Sequence, residues 1–301
     1  MRYLLFDVFA EQPFSGNQLA VFPLDRAIPD VAMQRIANEL NLAESVFLTK
    51  GDGERVAAQL RIFTPGREVQ FAGHPTVGAA VAVADILRWI PQSTTEFFLN
   101  ERIGDVAVRI ERTAYTTAWL RTPEVTFGQV YSAQDGAAAL SLAPVRISTA
   151  TPVQIVSAGN PFAFVPLVDA AAVDDAVLDP AAAGKIAAGC VGVFLFARTA
   201  YGTYARMFAP MSGIAEDPAT GSATGPAYAY LLKHGALPRI SASYVSEQGT
   251  KMGRRSILHV EVVHAPAETW HVDVGGRAIH VGTGELDEAA LLEAARQALS
   301  R

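Results

Sequence analysis

Two segments combine titratable side chains with residues too small to fill a core: FAGHPTVGAA at 71–80 and EDPATGSATGP at 216–226. His74 directly follows Gly73. Asp217 lies four residues before Gly221, and Ser222 comes next to that glycine. Each segment opens a run of helical character, so these side chains stand where a helix begins. The first turn of a helix carries N–H groups with no acceptor inside the helix, and partial positive charge. Glycine there lets a ligand approach the backbone closely, which makes an anion site. Taken singly, DPATGSA is equally an Asx turn with a helix cap. The occurrence of two such starts is what points to a small carboxylate ligand.

Glu44, in NLAESVFLT, stands between a helix and an apolar strand. One reading is a solvated strand start. The other is a carboxylate in an apolar cleft, whose ionised form is disfavoured and whose pKa moves toward that of a general base. Ser222 is suited either to capping its helix or to donating to a substrate carboxylate. No base lies beside it in the local sequence, so a serine-hydrolase triad is not supported. His234, His259, His264, His271 and His280 lack metal-ligand spacing. No G-x-G-x-x-G follows a strand, and no Walker-type loop occurs. The expectation is acid–base chemistry by side chains, without cofactor or metal.

The elements that position these residues repeat. GNQLAVFPL at 16–24 returns as GNPFAFVPL at 159–167, 143 residues later. The run from Gly73 returns from Gly221, 148 residues later. Two matches at nearly one offset indicate an internal duplication. We expect two halves, 1–125 and 126–301, the second including an amphipathic helix over LDEAALLEAARQALS. RYLLFDVF, NQLAVF, ESVFLT and VAAQLRIF read as strands in the first half. PVQIVSAG, PFAFVPLV, CVGVFLFA and TYARMFA do so in the second, followed by ILHVEVVH, TWHVDV and RAIHVG. DVAMQRIANELN reads as a helix with Asp30 as its N-cap. TVGAAVAVADIL and ATGPAYAYLL are small and apolar on every side, which marks helices enclosed by other structure. Pro226 is then expected near its helix's first turn. The expected architecture is two barrel-like, mostly antiparallel sheets, each wrapped around one helix, with a cleft between the halves.

Bulk properties agree with an enzyme of small molecules. The chain has 301 residues, half of them apolar, and a net charge of −6. Its basic residues are scattered, which argues against nucleic acid or an anionic membrane as partner. One cysteine, Cys190, sits in an apolar run and reads as a small core residue in a reducing compartment. Asp7 and Glu11 interrupt the N-terminal apolar stretch, so no signal peptide is expected. The expectation is a soluble, cytoplasmic protein.

PFSGNQLAVF, NLAESVFL, FTPGREVQFAGHPTVGAA, RMFAP and EDPATGSATGP, in this order, resemble the PhzF-like isomerases of phenazine biosynthesis. The resemblance runs from about residue 1 to 285 and is weakest over 121–150. It implies the α+β diaminopimelate-epimerase-like fold, with two pseudo-symmetric domains, a homodimer and a small carboxylate substrate. It implies Glu44 as general base, His74 and Asp217 as further catalytic residues, and Gly73, Gly221 and Ser222 as contacts of the substrate carboxylate. The epimerases and proline racemases of that fold use two cysteines, one at each helix start. Here those places hold Gly73-His74 and Gly221-Ser222, so two-thiol chemistry is excluded by counting. The reaction implied is isomerisation of trans-2,3-dihydro-3-hydroxyanthranilate. Its competitors are proton transfer on another small amino or hydroxy acid, and a non-catalytic carboxylate-binding protein.

Overall fold

The computed structural model describes residues 1–51, 55–238, 240–265, 269–287 and 289. The amphipathic helix expected at the C-terminus lies outside the described residues. The chain forms two compact units, Met1–Leu120 with the chain from Gly276 onward, and Arg121–Gly275. Each is described by itself.

The first unit contains β1 (Arg2–Val8), β2 (Asn17–Leu24), helix α1 (Asp30–Leu40), β3 (Glu44–Lys50), β4 (Val56–Phe63) and the short β5 (Glu68–Val69). Helix α2 (Gly73–Val81), β6 (Glu96–Glu101), β7 (Gly104–Arg112) and β8 (Thr116–Arg121) follow. β1 pairs antiparallel with β2, β2 parallel with β3, β3 antiparallel with β4, β4 parallel with β6, and β6 antiparallel with β7. β7 pairs with β8, and the last of the described strands (Thr269–Glu285), which pairs with both β8 and β1, closes an eight-stranded barrel.

All nine residues of α2 are buried. Small residues are required there by space: a Cβ on Gly78 would lie 2.4 Å from Leu19 Cδ2 and 2.9 Å from Val8 Cγ2. Outside this layer α1 packs Met33, Ile36 and Ala37 against Phe22, Phe47 and Phe63. Burying each of the larger side chains among these contributes on the order of 1.5–3 kcal/mol. Asp30 is the first helical residue and Pro29 the N-cap, with no side-chain cap bond. The Asp30 carboxylate instead accepts from Arg61 at 3.1 Å, an ion pair that competes with capping.

The second unit repeats this plan with β9 (Thr126–Tyr131), helix α3 (Ala133–Ala139), β10 (Val153–Ser157), β11 (Pro161–Leu167), and helices α4 (Ala170–Asp175) and α5 (Pro180–Ile186). Next come β12 (Gly192–Arg198), β13 (Gly202–Ala209), β14 (Ile214–Asp217), helix α6 (Gly221–Lys233), β15 (Ala242–Gln248), β16 (Ser256–Ala265) and β17 (Thr269–Glu285), whose first part belongs here. The pairings match those of the first unit strand for strand: β11 parallel with β12, β12 antiparallel with β13, and β13 parallel with β15. Helix α6 packs Tyr230 edge-on against Phe164 and Phe196. Pro226 is the sixth residue of α6, not in its first turn. The helix continues through it because proline removes one N–H, the partner of the Ser222 carbonyl, and leaves the other bonds standing. Cys190 packs at the edge of an aliphatic cluster, where burial raises its thiol pKa, as expected of a structural cysteine. Among the described residues no helix is long and apolar enough to cross a membrane.

Candidate active site

The two enclosed helices begin without side-chain caps. Ala72 precedes α2 and Thr220 precedes α6, and neither side chain accepts from its own helix. The first main-chain bonds close from Thr76 to the Ala72 carbonyl and from Ala223 and Thr224 to the Thr220 carbonyl. The N–H groups of Gly73 and His74, and of Gly221 and Ser222, therefore have no acceptor within their helices. Both starts present main-chain donors and the positive end of a helix.

In the first unit the structure brings Glu44, Gly73 and His74 together. Glu44 opens β3 opposite Leu19 of β2, and its Oε2 lies 3.3 Å from His74 Nε2. The Glu44 side chain is 15% exposed and that of His74 4%. His74 Nδ1 lies 3.2 Å from Asn17 Nδ2. Burial lowers the His74 pKa to about 3, against a main-chain contact from Gln18 that favours the charged ring. The imidazole is thus neutral, and its approach to Glu44 is not an ion pair. His74 Nε2 and Glu44 Oε2 approach each other without the geometry of a hydrogen bond.

Asn17 carries no chemical motif in the sequence, although it stands in the repeated GN dipeptide. The preceding Gly16 has φ +69°, and a Cβ there would lie 2.3 Å from the Val8 carbonyl oxygen. That tight turn sets Asn17 at the start of β2 beneath the imidazole.

In the second unit Asp217, Gly221 and Ser222 fall within one turn. Asp217 ends β14 and is buried at 5% exposure. Its Oδ2 accepts from Thr220 Oγ1 at 2.5 Å. Gln248, from the end of β15, donates to the Asp217 carbonyl at 2.7 Å and to Thr220 Oγ1 at 3.0 Å, and accepts from the Thr220 N–H at 3.1 Å. The Gln248 amide therefore uses both donors and its oxygen to hold this turn. Sequence reading missed Gln248 and Thr220, since nothing local links residues 28 apart.

An arginine braces each turn from behind. Arg61 of β4 forks onto Glu68, and Arg206 of β13 forks onto Glu216 at 2.8 and 2.9 Å. These bidentate pairs fix the strand that leads into each helix. Among the described residues no group of three or more His, Cys, Asp or Glu is placed to hold a metal ion.

Comparison with known proteins identifies the family. The family model of the PhzC-PhzF group, described as phenazine biosynthesis-like protein, matches residues 6–284. An uncharacterized isomerase of Mesorhizobium japonicum is 33% identical over 299 residues, covering 95% of this chain and 98% of that protein. The trans-2,3-dihydro-3-hydroxyanthranilate isomerase of Pseudomonas fluorescens is 32% identical over 292 residues, covering 95% and 99%. A crystal structure of a PhzF-family phenazine biosynthesis protein of Bacillus anthracis has the same fold, with TM-score 0.85 over 95% of this chain and 99% of that one, at 21% identity. This chain belongs to the PhzC-PhzF phenazine biosynthesis-like family and is an isomerase.

Proposed function

We propose that this isomerase moves a proton within a small carboxylate substrate, with trans-2,3-dihydro-3-hydroxyanthranilate as the compound that suits it best. The observation that carries this reading is the Glu44–His74 pair, a carboxyl group 3.3 Å from a neutral imidazole at an uncapped helix start. A carboxylate so placed is a base, and a neutral ring beside it does not neutralise it. Glu44 takes the proton from C3 of the substrate, a protonated acid returns one to C1, and the double bonds shift between them. The enol so formed tautomerises to an aminoketone.

Asp217 and His74 hold the hydroxyl and amino groups and steady the moving charge. The N–H groups of Gly73 and Gly221, with the Ser222 hydroxyl, hold the carboxylate. Every group in this scheme is a side chain or a main-chain amide, and the neutral His74 serves as donor rather than as a general acid. The name carried by the Pseudomonas fluorescens relative supports the choice of substrate.

The test is conversion in heavy water followed by NMR. Deuterium entering the product ring of dihydrohydroxyanthranilate supports the reading. Turnover of some other small amino or hydroxy acid, with none of this compound, would keep the proton transfer and replace the substrate.

A further inference from the structure

Glu101 is a buried acid that the proposed mechanism does not use. It ends β6, where Phe97, Leu99 and Glu101 alternate inward, and it is 4% exposed. Its Oε1 accepts from Thr76 Oγ1 at 2.5 Å, and the same hydroxyl lies 2.7 Å from the carbonyl oxygen of Ala72, the N-cap of α2. Its Oε2 is buried without a hydrogen-bond partner.

The duplication identifies its counterpart. On β4, Gln59 pairs with Asn100, one residue before Glu101. On β13, Tyr204 pairs with Glu247, one residue before Gln248. Glu101 thus occupies in the first unit the place that Gln248 occupies in the second. Both end a strand, both are buried, and both reach the first turn of the enclosed helix. Gln248 does so through Thr220 and Asp217, and Glu101 through Thr76 and Ala72.

We propose that Glu101 is a positioning residue for the Gly73-His74 turn, acting as an uncharged carboxylic acid in the role that the Gln248 amide plays for the Thr220-Gly221 turn. The inference rests on the reading of that turn as part of the active site. A neutral group is what the place admits. Among the described residues no cation pairs with the carboxyl group: Arg61 and Arg102, which line the same cavity, are both engaged by Glu68. The residues that share its side of β6, Phe97 and Leu99, are buried and apolar. Desolvation accordingly raises its pKa to about 8, against the Thr76 bond, which lowers it. A carboxylic acid and a carboxamide have nearly the same shape, and each offers both a donor and an acceptor.

Two substitutions separate this role from a merely structural one. Glu101→Gln should hold turnover within roughly 3-fold at neutral pH and remove any loss of rate between pH 7 and 9. Glu101→Ala should lower kcat by about 100-fold, as displacement of a catalytic turn does. A readout without substrate is the imidazole resonances of His74, identified by their absence in His74→Asn. They should stay in place in Glu101→Gln and move or broaden in Glu101→Ala.

Stability against pH gives a third. The folded wild-type protein holds a proton that the unfolded chain releases above about pH 4.5. Wild type therefore loses melting temperature relative to Glu101→Gln as pH rises from about 4.5 to about 8. Unchanged His74 resonances in Glu101→Ala, or Glu101→Gln behaving like Glu101→Ala, would overturn the proposal. Failure of every substrate would count against the proposed reaction alone, because the resonance and melting measurements need none.

Discussion

Glu44 and Gly192 occupy the same place in the two halves of the chain. Glu44 pairs with Leu19 across parallel strands, and Gly192 pairs with Phe162 in the same way. The second half has no room for an acid there, since a Cβ on Gly192 would lie 2.2 Å from the Phe208 carbonyl oxygen. The reverse holds two strands later: Val69 pairs with Ile62 where Asp217 pairs with Met207. The duplicated frame is kept while its chemistry is divided, with a carboxylate at a different place in each half.

In the proposed scheme Ser222 is a binding rather than a reacting group. Ser222→Ala should raise KM by roughly 10- to 100-fold with kcat nearly unchanged, the loss of one hydrogen bond to a charged ligand at about 1.5–3 kcal/mol. A fall in kcat with unchanged KM, in steady-state kinetics, would instead place Ser222 in the chemical step.

His74 is held neutral by burial, and this has a signature in pH. Its pKa of about 3 in the folded state lies below the ordinary 6.5, so the unfolded chain binds a proton that the folded one refuses. Stability should therefore fall as pH drops from about 6.5 toward 3, and His74→Asn should show less of this loss. Ring nitrogen chemical shifts at pH 5 check it directly, where His74 should read as neutral. A protonated His74 at pH 5 would mean that Glu44 and the ring form an ion pair.

Gln248 satisfies three groups of the Asp217 turn at once. Gln248→Ala leaves the buried Thr220 N–H and the Asp217 carbonyl without these partners, which should cost about 1–3 kcal/mol for each group stranded. Urea unfolding measures it, and kcat should fall as Asp217 loses its place. A variant with full stability and activity would show that water replaces the amide.

Gly78 tests the enclosure of α2. Gly78→Val should destabilise the protein by about 1–3 kcal/mol through overpacking against Leu19 and Val8, despite the better helix propensity of any residue over glycine. Thermal melting decides it, and an unchanged midpoint would mean that Leu19 moves aside without strain.

Much of this was legible in the sequence. The repeated GN-apolar-PL and Gly-start segments gave the duplication, and the scarcity of charged residues around each run marked both enclosed helices. Alternation gave the strands, and Glu44, Gly73 and His74 meet as one cluster. What escaped was the set of residues that hold the site without belonging to its motifs. Asn17 meets His74 from 57 positions away, and Glu101 meets Thr76 from 25. Such bonds depend on strand register, which a single sequence does not print. Glu101 did leave a trace, as an acid at an inward position of the alternating FFLNE run. The return of the last strand to β1 is likewise a pairing across the whole chain, with Arg2 opposite Glu285.

The central claim is that Glu44 removes the substrate proton. It is tested most directly by proton exchange in heavy water with dihydrohydroxyanthranilate, comparing wild type with Glu44→Gln. Conversion with deuterium incorporation is expected in wild type, with a loss of at least about 100-fold in the variant and substrate affinity kept within a few-fold. Normal turnover by Glu44→Gln would contradict it and pass the role of base to another residue.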